Sequence, residues 1–252
     1  MPNPIFKYLD SHRDPSDRYL FNSAIGPVKQ YVGAEKTALP IPEPITQSYS
    51  EVAKKRKSVR DYAGTVVDVN DLAAILYWSM SEQIYTHSDQ TQGADFNRRP
   101  YPSGGAKFSI DAYVLTDSHG LLGTAIYHYR PDTHVLELVK NISNQEVQEI
   151  KRGYLYEFVT DIPVMILFSY IMERNVPKYG TFGTKLALIE AGHIAQNMAM
   201  VAQSTNVDSI MLAGGDFELM DNLFGFDSYN ESTFYTVGLG KKPASSIIKP
   251  RQ

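Results

Sequence analysis

Apolar positions along the chain fall into two rhythms. Between residues 110 and 170 they come in short, nearly unbroken runs: Ile110–Thr116, Ala125–Arg130, His134–Lys140 and Val164–Tyr170. Each has the length of a strand, and Pro131-Asp132-Thr133 between the second and third predicts a hairpin. Elsewhere the spacing is helical. Leu72, Ile75, Leu76 and Ser79 follow i, i+3, i+4, i+7, with Asp68 or Asn70 placed to cap the helix they predict. Tyr49 to Lys57 reads as a basic helical stretch, 144–159 as another helix, and Thr184 to Ser204 as the longest. In that longest helix Leu186, Leu188, Ile189, Ile194, Met198, Met200 and Val201 surround most of the circumference, which predicts burial at the centre of the fold. A strand near 207–213, a short helix from Asp216 and a strand at Phe234–Leu239 complete the body.

The segments without rhythm set the organisation. Residues 1–45 carry prolines at 2, 4, 15, 27, 40, 42 and 44 and predict an extended N-terminal arm, with 46–252 as the folded body. Residues 82–105 are polar and rich in Gly, Pro and Ser, so they read as a long loop, and loops of that length in a compact domain are usually functional or disordered. Hairpin strands mixed with helices, without strict βαβ alternation, predict an α+β fold. A chain of 252 residues can bury about 70% of its unfolded surface, so one domain suffices and no disulfide or structural metal is needed.

Composition narrows the function classes. Hydrophobic content of 43% with 21% charged is that of a globular chain, and a net charge of -4 lacks the footprint of a nucleic-acid binder. Zero cysteines exclude a thiol nucleophile, thiolate zinc and a cysteine-held iron–sulfur cluster. The N-terminus does not read as a secretory signal, and the longest apolar run, Pro163 to Met172, is far short of the ~20 residues that cross a bilayer. A cytoplasmic protein without membrane contact is the expectation. No P-loop and no GxSxG elbow occur, and Gly238-x-Gly240 leads into Lys241-Lys242-Pro243 rather than a helix, so the dinucleotide fingerprint fails. The six histidines form no HExxH or ligand cluster, so no metal site is expected; His128 and His134 read as a surface pair facing each other across the hairpin. Asp216, Glu218 and Asp221 read as the acidic start of a helix.

Three features stand above this background. Arg56-Lys57-Ser58-Val59-Arg60, extended by Lys54 and Lys55, puts cations and a hydroxyl together in a way that suits a phosphate, although charge alone equally describes a solvated basic face. Arg98-Arg99-Pro100-Tyr101-Pro102-Ser103-Gly104-Gly105-Ala106 carries paired glycines that let backbone approach a ligand closely or simply turn. Val176-Pro177-Lys178-Tyr179-Gly180 leads through Thr181-Phe182-Gly183 into the long helix and offers two candidate acid–base groups on a Pro/Gly-bounded loop. The helix adds Glu190, His193 and Asn197, one polar line on an otherwise apolar surface, for which satisfied buried polar groups are the plainer reading.

Together and in this order, these features resemble the SagB-type branch of the flavin-dependent nitroreductase superfamily. The runs RRPYPSGGAKFSIDAYVL, AIYHYRPDTHVLELV, KYGTFGTKLALIEAGHIAQN and MLAGGDFELMDNLFGFD carry the resemblance across residues 54–240. Within that branch the chain is most similar to the azole-forming oxidases of microcin-type synthetases, which share RRPYPSGGA, a Y-H-Y-x-P hairpin and a Lys-Tyr pair ahead of an E-[AT]-G helix.

The resemblance implies a homodimeric nitroreductase-like α+β fold, a central antiparallel or mixed sheet flanked by helices, with FMN at the subunit interface. It assigns Arg56, Lys57, Ser58 and Arg60 to the flavin phosphate and ribityl chain. It assigns Pro102, Ser103, Gly104 and Gly105 to a loop reaching the flavin from the neighbouring subunit, and Ala213, Gly214 and Gly215 to the backbone near the flavin N5. Lys178 and Tyr179 correspond to the family's catalytic pair, with either as the base, although many members follow the pair with Arg where Gly180 stands here. The tail Lys249-Pro250-Arg251 resembles a phosphate clamp of ordinary nitroreductases and is not assigned to the site. The implied activity is FMN-dependent oxidation of thiazoline or oxazoline rings in a precursor peptide, with cyclodehydratase (YcaO-type) subunits as partners. An NAD(P)H-dependent nitro or quinone reductase and a catalytically silent scaffold subunit remain as alternatives.

Overall fold

The computed structural model describes residues 28–62, 66–85, 96–117 and 122–242; most of the predicted arm and the Lys249–Arg251 tail lie outside them. The strands are β1 (Lys36–Ala38), β2 (Gln83–Tyr85), β3 (Phe96–Arg98), β4 (Ile110–Thr116), β5 (Ala125–Arg130), β6 (Val135–Asn141), β7 (Val164–Ile171), β8 (Asp208–Leu212) and β9 (Glu231–Gly240). The helices are α1 (Tyr49–Lys55), α2 (Val69–Met80), α3 (Asn144–Arg152), α4 (Val176–Tyr179), α5 (Phe182–Ser204) and α6 (Phe217–Phe224). Seven strands form one sheet in the order β1-β6-β5-β4-β7-β9-β8, each paired antiparallel with its neighbour. The fold is α+β, with β1 from the end of the arm laid on the β6 edge.

Alternation along the central strands builds two cores. Ile110, Ala112 and Val114 of β4, with Ile166, Phe168 and Tyr170 of β7, face a layer made by α2 and α5. Tyr113 and Leu115, with Met165 and Leu167, face the opposite layer of α3 and α6. Helices therefore cover both faces, so every residue of β4, β5 and β7 is buried and their sequences read as continuous apolar runs. Ser48 and Ser143 close capping boxes at α1 and α3, and the Asp68 carboxylate caps α2.

Several expectations are corrected. α5 is not buried all round: Leu188 and Ile189 are 55% and 47% exposed, while the inner face is Ala187, Ala191, Ile194, Ala195, Met198 and Ala202. Alanines let the helix approach the sheet closely, so counting large side chains misjudged which face is inward. The 144–159 helix stops at Arg152, because Tyr154 leaves it to pair with Gly215 across an antiparallel bridge; a short 3₁₀ turn follows at Glu157–Asp161. The 82–105 loop contains β2 and β3, paired with each other. His128 and His134 neither face each other nor lie on the surface. His128 sits opposite Glu137 and is fully buried, while buried His134 contacts the Tyr129 hydroxyl and the Pro40 carbonyl.

Polar residues in the second core explain that burial. The His128 ring nitrogens lie 3.0 Å from Asp111 and 3.3 Å from Glu137. Arg174 forks onto Asp111, and Arg130 donates to Glu137 and Asp132. β9 begins three residues earlier than its apolar run, because Glu231 pairs with Lys29 and Thr233 donates to Asp221. Asp216 caps α6 as expected, whereas Asp221 is buried and accepts from Ser228, Ser232 and Thr233.

Candidate functional site

Strand register directs three of the motif segments toward one end of the sheet. β4 begins where β7 finishes, with Ile110 opposite Tyr170. β8 runs in the same direction as β7, since both are antiparallel to β9. The segments entering β4 (102–109) and leaving β7 (172–179) therefore emerge together, while the segment leaving β8 (213–215) heads toward the same end from further back, since Leu212 and Leu167 both pair with Thr236. The basic run lies further back along β8: Ser58 makes a parallel bridge to Ser209, and the Val59 N–H donates to the Ser209 carbonyl at 3.1 Å.

Buried Val59 anchors that run while Lys57, Ser58 and Arg60 stay exposed. Among the described residues no carboxylate forms an ion pair with Arg56, Lys57 or Arg60. Lys54 and Lys55 occupy the last turn of α1, where cations favour the helix C-terminus. From Ser209, four residues of chain at ~3.3 Å each reach Ala213, about 13 Å along the same edge. There the Leu155 N–H donates to the Gly214 carbonyl, and a Cβ on Gly214 would lie 2.7 Å from the Leu155 side chain. Those glycines thus admit the 154–155 segment against the end of β8.

The Pro-Ser-Gly-Gly loop and the Lys-Tyr pair, distant in sequence, meet. The loop turns through a 3₁₀ segment at Gly104–Ala106, with Gly105 at φ +64° and Ala106 and Phe108 also at positive φ. Positive φ in Ala and Phe is strained backbone, held here by its surroundings. The Ser103 hydroxyl donates to Glu190 and accepts from the Phe108 N–H at 2.9 Å, so its bonds close the loop on itself. A Cβ on Gly105 would stand 2.3 Å from Tyr179 Oη and 3.0 Å from Lys178 Nζ. Both side chains therefore lie directly against Gly105, with the ammonium 5.2 Å from the tyrosine ring centroid.

Gly105→Ala combines that overlap with a strained backbone. A non-glycine residue in the left-handed region costs about 1–2 kcal/mol, so the melting temperature is expected to fall by about 5 °C. A thermal melt indistinguishable from wild type would show that the loop stands off the pair.

α4, which carries the pair, is one turn long. The Lys178 and Tyr179 N–H groups donate to the Asn175 carbonyl at 3.1 and 2.9 Å. Gly180 ends it at φ +55°, ψ -145°, backbone that glycine adopts far more easily than any residue with a side chain.

Sequence reasoning missed three neighbours, Lys107, Arg174 and Asn175, and gave no site role to a fourth, Glu190. Lys107 is buried, and burial with the Lys178 charge beside it holds its ammonium below the ordinary lysine range. Arg174 donates to the Phe108 carbonyl and to Asp111, tying loop to sheet. Asn175 is buried beneath the pair. Glu190 accepts from Ser103, Ser109 and the Ile110 N–H, and burial raises its carboxyl above the usual range against the opposing pull of those bonds. Glu190 was visible only as part of the polar line on α5. Asn197 there donates to the Pro100 carbonyl at 2.8 Å, and His193 is exposed. Among the described residues no cluster of His, Asp or Glu could hold a metal ion, and no helix is long and apolar enough to cross a membrane.

Comparison with known proteins bears on this arrangement. The model of the nitroreductase family matches residues 53–241, three quarters of the chain. The chain belongs to the nitroreductase family. As such it is an oxidoreductase of a family whose members typically bind FMN. This nitroreductase is 31% identical over 121 residues to the Microcin B17-processing protein McbC of Escherichia coli. That match covers 46% of this chain and 44% of McbC, so it spans less than half of the relative. In fold it is similar to a chain of the E. coli microcin synthetase McbBCD complex with truncated pro-MccB17 bound. There the TM-score is 0.63 at 18% identity, over 94% of this chain and 97% of that one. A nitroreductase-like protein of Ralstonia eutropha JMP134 superimposes with TM-score 0.68 at 17% identity, over 88% and 97% of the two chains.

Proposed function

We propose that this nitroreductase oxidises thiazoline or oxazoline rings in a ribosomally made precursor peptide to thiazoles or oxazoles, using FMN. The observation that carries the reading is the convergence of Lys178 Nζ and Tyr179 Oη on Gly105, at the end of the sheet where β7 finishes and β4 begins. An amine and a phenol side by side against side-chain-free backbone form a site for taking a proton from a carbon acid. The partial likeness to McbC supports the choice of substrate.

The residues present fit FMN. Arg56, Lys57, Ser58 and Arg60 offer cations without carboxylate partners and a hydroxyl to a phosphate and ribityl chain. Ala213, Gly214 and Gly215, just past the end of β8, are the backbone assigned to the ring, with Leu155 and Tyr154 packed on the two glycines, and Pro102, Ser103, Gly104 and Gly105 offer the loop contributed by the second protomer of a homodimer. Bound FMN supplies the two-electron acceptor that the chain lacks. Lys178 takes the proton from the ring carbon that was Cα, and Tyr179 orients the ring or passes that proton on; the two roles are exchangeable. The ring loses one proton and one hydride in all. Because Gly105 rests on the pair within one chain, loop and pair enter the site together. Cyclodehydratase subunits would present the peptide.

Purified protein is expected to show flavin absorbance and to take two hydrogens from each ring of a synthetic thiazoline peptide, read by mass spectrometry. An unchanged peptide together with fast NAD(P)H oxidation on a nitro compound would assign the simpler reductase activity. A second test addresses the phosphate site. Arg56→Ala with Arg60→Ala should weaken FMN at least about tenfold and leave riboflavin, which lacks the phosphate, unaffected. Equal loss for both ligands in a fluorescence titration would remove the basic run from the phosphate.

A further inference from the structure

We infer that Asn175 is a positioning residue for Lys178 and Tyr179, acting through a buried hydrogen-bonded chain that locks the pair to the glycine loop. The inference rests on the proposed roles of that pair. Asn175 is 1% exposed, and its amide reaches three segments. Oδ1 accepts from the Tyr170 hydroxyl at the end of β7 at 2.6 Å. Nδ2 donates to Ser109 Oγ, ahead of β4, at 3.2 Å and to the Gly183 carbonyl, in the first turn of α5, at 2.9 Å. Both amide N–H groups are thus used. Its main-chain carbonyl accepts from Lys178 and Tyr179, the fourth segment.

α4 has four residues, too few to form a helix unaided, since nucleation costs more than one turn of bonds returns. Its placement must come from outside, and Asn175 is where the outside connects. Gly183 is shaped to this purpose: a Cβ there would lie 2.6 Å from Asn175 Oδ1. The chain continues from Ser109 to Glu190 at 3.5 Å, and from Glu190 to the Ser103 hydroxyl, two residues before Gly105. Asn175, Ser109, Glu190 and Ser103 therefore join the backbone under the pair to the loop in front of it. A displacement of 1 Å at such a site can cost on the order of 10²-fold in rate.

Hydrogen–deuterium exchange of the full-length protein tests this without turnover. In Asn175→Ala, exchange across 176–183 is expected to speed about tenfold, the loss of one or two hydrogen bonds, while 54–60 and 209–215 exchange as in wild type. Conversion of the thiazoline peptide should fall on the order of 10²-fold, and by less than about twofold when Lys178→Ala is already present. Ser109→Ala, which removes one link, should give the same local exchange pattern at smaller amplitude and decides the matter if Asn175→Ala does not fold. Unchanged exchange at 176–183, faster exchange throughout the sheet, or multiplying effects of the Asn175 and Lys178 substitutions would overturn the inference. Failure of the wild-type protein itself to convert the peptide would instead sink the functional reading, and the exchange pattern would still decide whether Asn175 holds the turn.

Discussion

Lys178→Ala is expected to leave the protein yellow and to cut azoline oxidation by 10²–10⁴-fold, the usual contribution of a positioned general base. The separation of the two effects follows from the geometry. Lys178 lies beyond the end of β7 against Gly105, whereas the cationic run pairs with Ser209, well back along β8. Removing the amine takes away the proton acceptor without disturbing the cationic run proposed to hold the flavin phosphate. The half-buried side chain packs on the Tyr179 ring, so truncation leaves space that water can fill rather than a core cavity. Tyr179→Phe is the companion: it keeps the ring and removes the hydroxyl, and the larger loss of the two marks the base. Steady-state kinetics on the thiazoline peptide, with the flavin spectrum as a control, provides the measurement. A Lys178→Ala protein that retains its flavin and its turnover would remove Lys178 from the mechanism.

Asp111→Ala should produce the largest loss of stability. Asp111 is 4% exposed, receives a two-pronged contact from Arg174 and lies 3.0 Å from His128 Nε2. Burial by itself would raise its carboxyl, but Arg174 and His128 outweigh burial and hold it far below the ordinary carboxylate range. Truncation strands a buried guanidinium, and breaking such a pair costs about 3–5 kcal/mol. For a chain of this size that lowers the melting temperature by about 10 °C.

The pH dependence has a definite sign. A carboxyl depressed on folding contributes stability that is complete above its unfolded value, about 3.9, and drains away as pH falls toward the folded value. Below about pH 4 Asp111 therefore adds about 1.4 kcal/mol of destabilisation per pH unit in wild type and none in Asp111→Ala. Denaturant melts from pH 7 down to pH 3 should show the two proteins converging. Parallel curves, or a neutral-pH melting temperature within about 2 °C of wild type, would show that the Arg174 fork carries no weight. Arg174 also donates to the Phe108 carbonyl, so the same substitution should loosen the loop that bears Gly105.

β4 and β5 were legible to the residue, because their apolar runs are bounded by polar or turn residues and both faces are covered. The α2 cap, the α6 cap at Asp216 and the hairpin turn at Pro131 were legible for the same local reason: a short stretch of chain determines them. The three motif segments were legible as chemistry, since cations, paired glycines and a Lys-Tyr pair announce themselves by type. Their arrangement was not. Whether α5 turns its leucines or its alanines inward depends on how near the sheet lies, a distance that local periodicity does not carry. The burial of His128 is not visible locally, because its partners Asp111 and Glu137, and the Arg174 and Arg130 that pair with those carboxylates, are brought around it by the pairing of β4, β5, β6 and β7.

What the sequence by itself determined was the element types, the family motifs and the list of reactive groups, because these follow from local spacing and side-chain chemistry. What only the tertiary structure decided was which of those groups meet. Gly105 touches Lys178 and Tyr179 because β4 and β7 pair antiparallel in a register that sets Ile110 opposite Tyr170. Asn175 becomes a hub because that register brings Ser109 and the first turn of α5 to the same buried point. Contacts of that kind join residues far apart in the chain, and pairing register and close packing create them.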